Sequence, residues 1–152
     1  MPLHRFFLPK GLYSAADKSA IAQAITKVYA ILPAFYVVVV FVELDPGDFF
    51  VGGKASGRRV RINVEHVARN FEDGSPKRKR KFMERYEAAL APFTKARGIE
   101  WEVQIVDCDR LLWNIDGMAP PEENSDGERI WREEDKPVPL GKVEDVQVRA
   151  KL

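Results

Sequence analysis

This chain is short of the residues that staple secreted domains or hold metals. It has one cysteine, Cys108, in 152 residues. A lone thiol closes no internal disulfide, which points to a reducing compartment. There are two histidines, His4 and His66, and neither has metal-ligating company at useful spacing. No metal and no organic cofactor is expected. Charge of one sign is also missing: 24 basic against 23 acidic residues leave a net charge of +1. No global field therefore draws the chain to nucleic acid or a membrane. The longest apolar run, residues 31–42, is broken by Pro33 and too short to span a bilayer. The N-terminus lacks the basic, apolar and cleavage regions of a signal peptide. A cytoplasmic protein is the expectation.

What is present describes one domain with an ordinary core, at 45% hydrophobic and 31% charged residues. Residues 3–8 read as a strand. Ser14 is a candidate N-cap, with Asp17 completing an imperfect capping box. Ile21, Ala24, Ile25, Val28 and Leu32 follow at helical spacing and predict a helix over 15–31, ended by Pro33. Residues 35–44 are almost all β-branched or aromatic and predict a strand buried on both faces. A turn and a glycine-rich hairpin occupy 45–57. Residues 60–64 alternate as a half-buried strand does. Ser75-Pro76 opens a second helix, whose apolar residues Phe82, Tyr86, Ala89, Leu90 and Phe93 run down to about Arg97 before Gly98. Residues 99–105 alternate again.

The order is β-α-β twice. Two such halves, about 2–58 and 59–118, predict an α/β (α+β) fold. A four-stranded mixed sheet would have two helices on one face and a bare apolar face on the other. That bare face argues for self-association. A short helical turn is expected at 109–115. Beyond it, 119–152 reads as a loop and arm, with a short strand at 143–148.

Pro2 carries the chemistry. If Met1 is removed, Pro2 becomes a secondary amine at the start of a strand. Desolvation lowers the pKa of such an amine toward the working pH, where it can act as acid or base. With Ala24-Ile25-Thr26, Phe50-Val51-Gly52-Gly53 and the segment 64–69, the chain resembles the tautomerase superfamily. The likeness is to its fused, trimeric branch, typified by cis-3-chloroacrylic acid dehalogenase, and covers roughly residues 2–118. It implies a homotrimer acting on a small 2-oxo or unsaturated carboxylate. In that family a proline is the acid-base group and arginines hold the carboxylate, a task suited to a planar guanidinium.

Carried over position by position, the resemblance implies Pro2 as the catalytic proline and Arg69 as the carboxylate binder. Tyr29 stands where the dehalogenase has a histidine, and Val103 and Asn114 line the substrate pocket. The second family arginine has no counterpart three residues after Arg69. Val103 and Asn114 replace the tyrosine and glutamate that activate water in the dehalogenase. Proton transfer between enol and keto forms is therefore expected ahead of haloacrylate hydrolysis or hydration. A non-catalytic binding protein on the same scaffold is the remaining alternative. The basic run 77–81 is expected to be a solvated helix face, and nucleic-acid binding is not expected.

Overall fold

The computed structural model describes residues 2–71 and 74–140. The strand expected at 143–148 lies outside the described residues. Strand β1 (Leu3–Pro9) is followed by helix α1 (Ala15–Val28) and strand β2 (Val38–Leu44). A small hairpin, β3 (Phe50–Val51) and β4 (Lys54–Ala55), leads to strand β5 (Arg59–His66). Helix α2 (Pro76–Leu90), strand β6 (Glu100–Asp107) and helix α3 (Asp126–Glu134) complete the order.

The main sheet is four-stranded and mixed, in the order β2-β1-β5-β6. β1 pairs in parallel with β2, β5 in parallel with β6, and β1 meets β5 antiparallel at the centre. The two β-α-β halves thus lie about a pseudo-two-fold axis between β1 and β5. Alternation along the central strands sends Phe6, Leu8, Val60, Ile62 and Val64 beneath the helices. Ile21 and Ile25 of α1, with Phe82, Tyr86 and Leu90 of α2, close the core.

Both long helices begin as the sequence predicts. Asp17 N–H donates to Ser14 Oγ at 3.1 Å, and Ser14 N–H donates to Asp17 Oδ2 at 3.0 Å. Ser75 caps α2 with Pro76 at the first helical position. Their ends differ from expectation. α1 stops at Val28, three residues early, because Pro33 pushes its predecessor out of helical geometry and the chain leaves through turns. Tyr29 is therefore the C-cap. α2 stops at Leu90, because Pro92 has no N–H to continue the ladder and its ring blocks the preceding turn. The chain resumes as a 3₁₀ turn at Lys95–Arg97, and Gly98, at φ 62°, ends it in the left-handed region.

Three further expectations are corrected. The run 35–44 is not a doubly buried strand. It begins as a 3₁₀ turn at Ala34–Tyr36 and continues as β2, an edge strand whose residues are half-buried or exposed. Apolar composition alone does not tell a central strand from an edge that another surface covers. The bare sheet face is apolar only over β1 and β2, where Leu3, Phe7, Val38, Val40 and Val42 lie. Over β5 and β6 it carries a polar ladder. Arg59 pairs with Glu100 at 2.9 Å, Arg61 with Glu102, and Arg5 bridges to Glu65 at 2.5 Å. Finally, 119–140 is no detached arm. α3 folds back on its own chain, with Trp131 only 1% exposed and packed against Phe35 and Tyr36. Asp135 accepts from Phe35 N–H at 3.1 Å, and Arg132 donates to the Ile31 carbonyl at 3.0 Å.

Candidate functional site

Pro2 precedes β1 directly and is buried. Its carbonyl accepts from Val38 N–H at 3.1 Å, which fixes the strand's start. The β1–β5 register pairs Leu3 with Glu65, so one step further sets Pro2 opposite His66, at the end of β5. By alternation Pro2 shares the helix-covered face with His4 and Phe6.

Beside this end of the sheet, between the end of α1, the loop after β5 and the start of α2, is a pocket of about 330 Å³. Val28, Leu32, Phe71 and Phe82 supply its apolar wall, and Tyr29 and His66 its polar floor. Arg69, Arg78, Lys81 and Arg85 ring it with positive charge, and among the described residues no acidic side chain lines it. A cleft lined by one sign of charge over low-dielectric walls concentrates anions.

The structure brings Tyr29 and Arg69 together in this pocket; Pro2 is not among its lining residues and lies across the strand pair from His66, which is. The structure does not bring Val103 or Asn114 there. Val103, paired with Ile62, packs into the core beneath the helices. Asn114 is exposed, past a 3₁₀ turn at Arg110–Leu112. Within one chain neither touches the pocket, because β6 is the far edge strand and Asn114 follows it.

Arg69 is also committed elsewhere. Its Nη1 and Nη2 donate to the two carboxylate oxygens of Glu128 at 2.9 and 2.6 Å, and Nη1 also donates to the Ala68 carbonyl at 3.0 Å. Its Nε faces Glu123 at 3.6 Å. With its terminal nitrogens on Glu128 and Nε facing Glu123, the guanidinium is spent within the protein. Glu128 is itself 1% exposed and further accepts from Asn124 N–H at 2.9 Å. The expected carboxylate binder is thus half of a buried ion pair in this chain.

The basic run contributes instead. Arg78 and Lys81 line the pocket with Arg85, while Lys77, Lys79 and Arg80 face solvent. This corrects the expectation of a wholly solvated face. The signal was in the spacing: Arg78 and Arg85 flank the core residue Phe82 at four and three residues, on one side of the helix. Arg78 lies over the Phe71 ring at 5.7 Å and Arg85 over Phe82 at 5.4 Å, so the guanidinium planes rest on the apolar wall.

Two tyrosine–histidine pairs pack together, Tyr29 with His66 at the pocket floor and Tyr86 with His4 behind it. Tyr86 Oη and His4 Nδ1 are 2.9 Å apart, and Tyr29 Oη and His66 Nδ1 are 3.3 Å apart. Tyr29 meets the His4 ring edge-on at 5.4 Å, and His66 stacks on Phe71 at 4.8 Å. Burial holds both imidazoles neutral, with His4 pushed down to about 3, aided by the neighbouring His66. His66 is lowered chiefly by burial as well. Burial raises the Tyr29 and Tyr86 phenols, so neither is a ready acid. Neither histidine stood out in the sequence as part of a site, since each is alone there. No cluster with the makings of a metal site occurs among the described residues.

Comparison with known proteins gives the family. The model of the family described as "Putative oxalocrotonate tautomerase enzyme" matches residues 1–136. The chain belongs to this tautomerase family. Native RhCC from Rhodococcus jostii RHA1 is 37% identical over 91% of this chain and 100% of its own, with a TM-score of 0.87. A structure described as "a probable enzyme" from the thermophilic fungus Aspergillus fumigatus is 35% identical over 92% of this chain and 98% of its own, at 0.86. N1, a member of the cis-3-chloroacrylic acid dehalogenase family, shares the fold at 19% identity and TM-score 0.67, over 88% of this chain and 98% of its own. No protein of curated function matches the sequence.

Proposed function

We propose that this tautomerase-family protein is a cofactor-independent enzyme that moves a proton on a small enolisable carboxylate, using the amine of Pro2 after removal of Met1. The observation that carries the reading is the pocket lined by His66, the residue opposite Pro2, apolar on one wall and ringed by cations, with no lining acid among the described residues. Lys81 and Arg85 hold the substrate carboxylate and stabilise the enolate charge that develops. The protonated amine of Pro2 delivers a proton to C3 of the enol. The hydroxyl proton leaves to water at the pocket mouth, and water restores the amine.

Haloacrylate hydrolysis is the weaker reading. It needs a group that activates water, and Val103 in the core and Asn114 in solvent supply none to this pocket. Assembly as a homotrimer is part of the proposal. It is supported by the half-apolar sheet face, by Leu111 and Leu112, exposed at 85% and 87%, and by a fused 4-OT described as an asymmetric trimer that shares the fold. No helix among the described residues is long and apolar enough to cross a membrane.

The test is the ketonisation of phenylenolpyruvate, followed by ultraviolet absorbance, in wild type and Pro2→Ala, with intact mass confirming loss of Met1. Activity lost in Pro2→Ala is the expected result. Retained Met1, or equal rates in both proteins, overturns the reading and favours a binding role.

A further inference from the structure

The orientation of one imidazole decides what Tyr29 offers a ligand. His66 Nε2 lies 2.5 Å from the backbone carbonyl of Arg69. A carbonyl oxygen only accepts, so Nε2 must carry the hydrogen; the other tautomer would press two lone pairs together. His66 is buried and neutral, so Nδ1 then carries none. Its partner at 3.3 Å is the Tyr29 hydroxyl, which must donate. The single hydrogen of Tyr29 is therefore turned into the protein. What remains for the pocket is a phenol oxygen with lone pairs, on a wall that Arg85 also lines.

We infer that His66 is a positioning residue that makes Tyr29 a hydrogen-bond acceptor, so that the pocket selects a small acid bearing a hydroxyl next to its carboxylate, an enol or an alcohol, over one bearing only an acceptor there. This rests on the pocket being the substrate site. Tyr29 is then no carboxylate binder: a carboxylate brings only acceptors, which a lone pair repels. The cations at 81 and 85 take the carboxylate, and Tyr29 takes the adjacent O–H. An enol presents a donor at that place, whereas its keto form presents an acceptor, so the bound state discriminates between the two tautomers.

Two variants separate this role from a merely structural one. In His66→Gln the side-chain amide reaches the position of Nε2 and keeps the link to the Arg69 carbonyl, but nothing accepts from Tyr29. In His66→Asn the amide oxygen takes the place of Nδ1 and accepts from Tyr29, while the carbonyl link is lost. Affinities are measured by calorimetry for 3-phenyllactate and for 2-fluoro-3-phenylpropanoate, which replaces the hydroxyl by an acceptor of similar size. Wild type and His66→Asn are expected to prefer the hydroxy acid by about tenfold, the worth of one hydrogen bond. Tyr29→Phe and His66→Gln are expected to lose most of that preference.

Nitrogen-15 spectra of the two histidines, assigned with His66→Gln, are expected to show His66 protonated at Nε2. Protonation at Nδ1, equal affinity for the two acids in wild type, or binding of neither overturns the inference. Ketonisation lost in Pro2→Ala alongside equal affinities would leave the enzyme reading intact and remove this one. The expected preference with no ketonisation in any variant would do the reverse.

Discussion

Arg69 and Glu128, 59 residues apart in sequence, meet in a two-point ion pair at 2.9 and 2.6 Å. Glu128 belongs to α3, and Arg69 to the loop that closes the pocket. The pair therefore fastens the C-terminal helix to the site wall. Removing one partner of a buried pair strands the other's charge. Glu128→Gln is expected to destabilise the fold by about 3 kcal/mol, read from urea denaturation. The double variant Arg69→Met with Glu128→Leu, which leaves no stranded charge, is expected to be more stable than Glu128→Gln alone. Equal stability of wild type and Glu128→Gln would show that the pair does not hold α3.

Stability should fall in acid because of His4. Its folded pKa is about 3 against 6.5 when exposed, so below 6.5 the unfolded chain takes up a proton that the folded one refuses. The contribution is whole above pH 6.5 and is lost progressively as pH falls toward 3. At pH 4.5, His4 alone is expected to account for about 2.5 kcal/mol of lost stability. His66, also lowered by burial, acts in the same direction. Chemical denaturation at pH 7 and 4.5 measures the slope, and His4→Gln, which does not titrate, should flatten it.

The central strands were readable because alternation is a local signal. Both faces of β5 follow directly from residues 60–64, whereas residues 3–8 show a strand without showing whether Leu3 or His4 turns to the helices. The helix starts at Ser14 and Ser75 were equally local. Pairings across long stretches of chain were not. Ser125-x-x-Glu128 has the capping-box spelling, and Glu128 N–H does donate to Ser125 Oγ at 3.1 Å. Nothing in that spelling says that the Glu128 carboxylate turns away to meet Arg69. Tyr29 and His66 likewise become partners only when α1 and β5 are laid side by side.

The α2 cations should separate by face. Arg85→Gln and Lys81→Gln are each expected to raise KM for phenylenolpyruvate about tenfold or more, the loss of a charge-assisted contact. Lys77→Gln, three residues from Arg80 on the solvent side, is expected to leave KM unchanged. Equal effects at 77 and 85 would indicate a general field rather than a carboxylate seat.

Assembly should depend on the apolar half of the sheet face. Val40, 41% exposed in one chain, and Leu112 are both expected to be covered in solution. Light scattering should show an oligomer for wild type and a smaller species for Val40→Asp or Leu112→Asp. A monomeric wild type would leave that surface to another partner.

The pseudo-two-fold axis between β1 and β5 has a last consequence. It relates the beginning of β1 to the beginning of β5, yet a polypeptide starts only once. At the place equivalent to Pro2 the chain runs on through Arg58, whose Nη2 donates to the Arg97 carbonyl at 2.7 Å. Two copies of one half would each have carried a terminal amine. Joining them keeps the twinned architecture but halves the number of such amines, so ligand stoichiometry should count chains rather than β-α-β units.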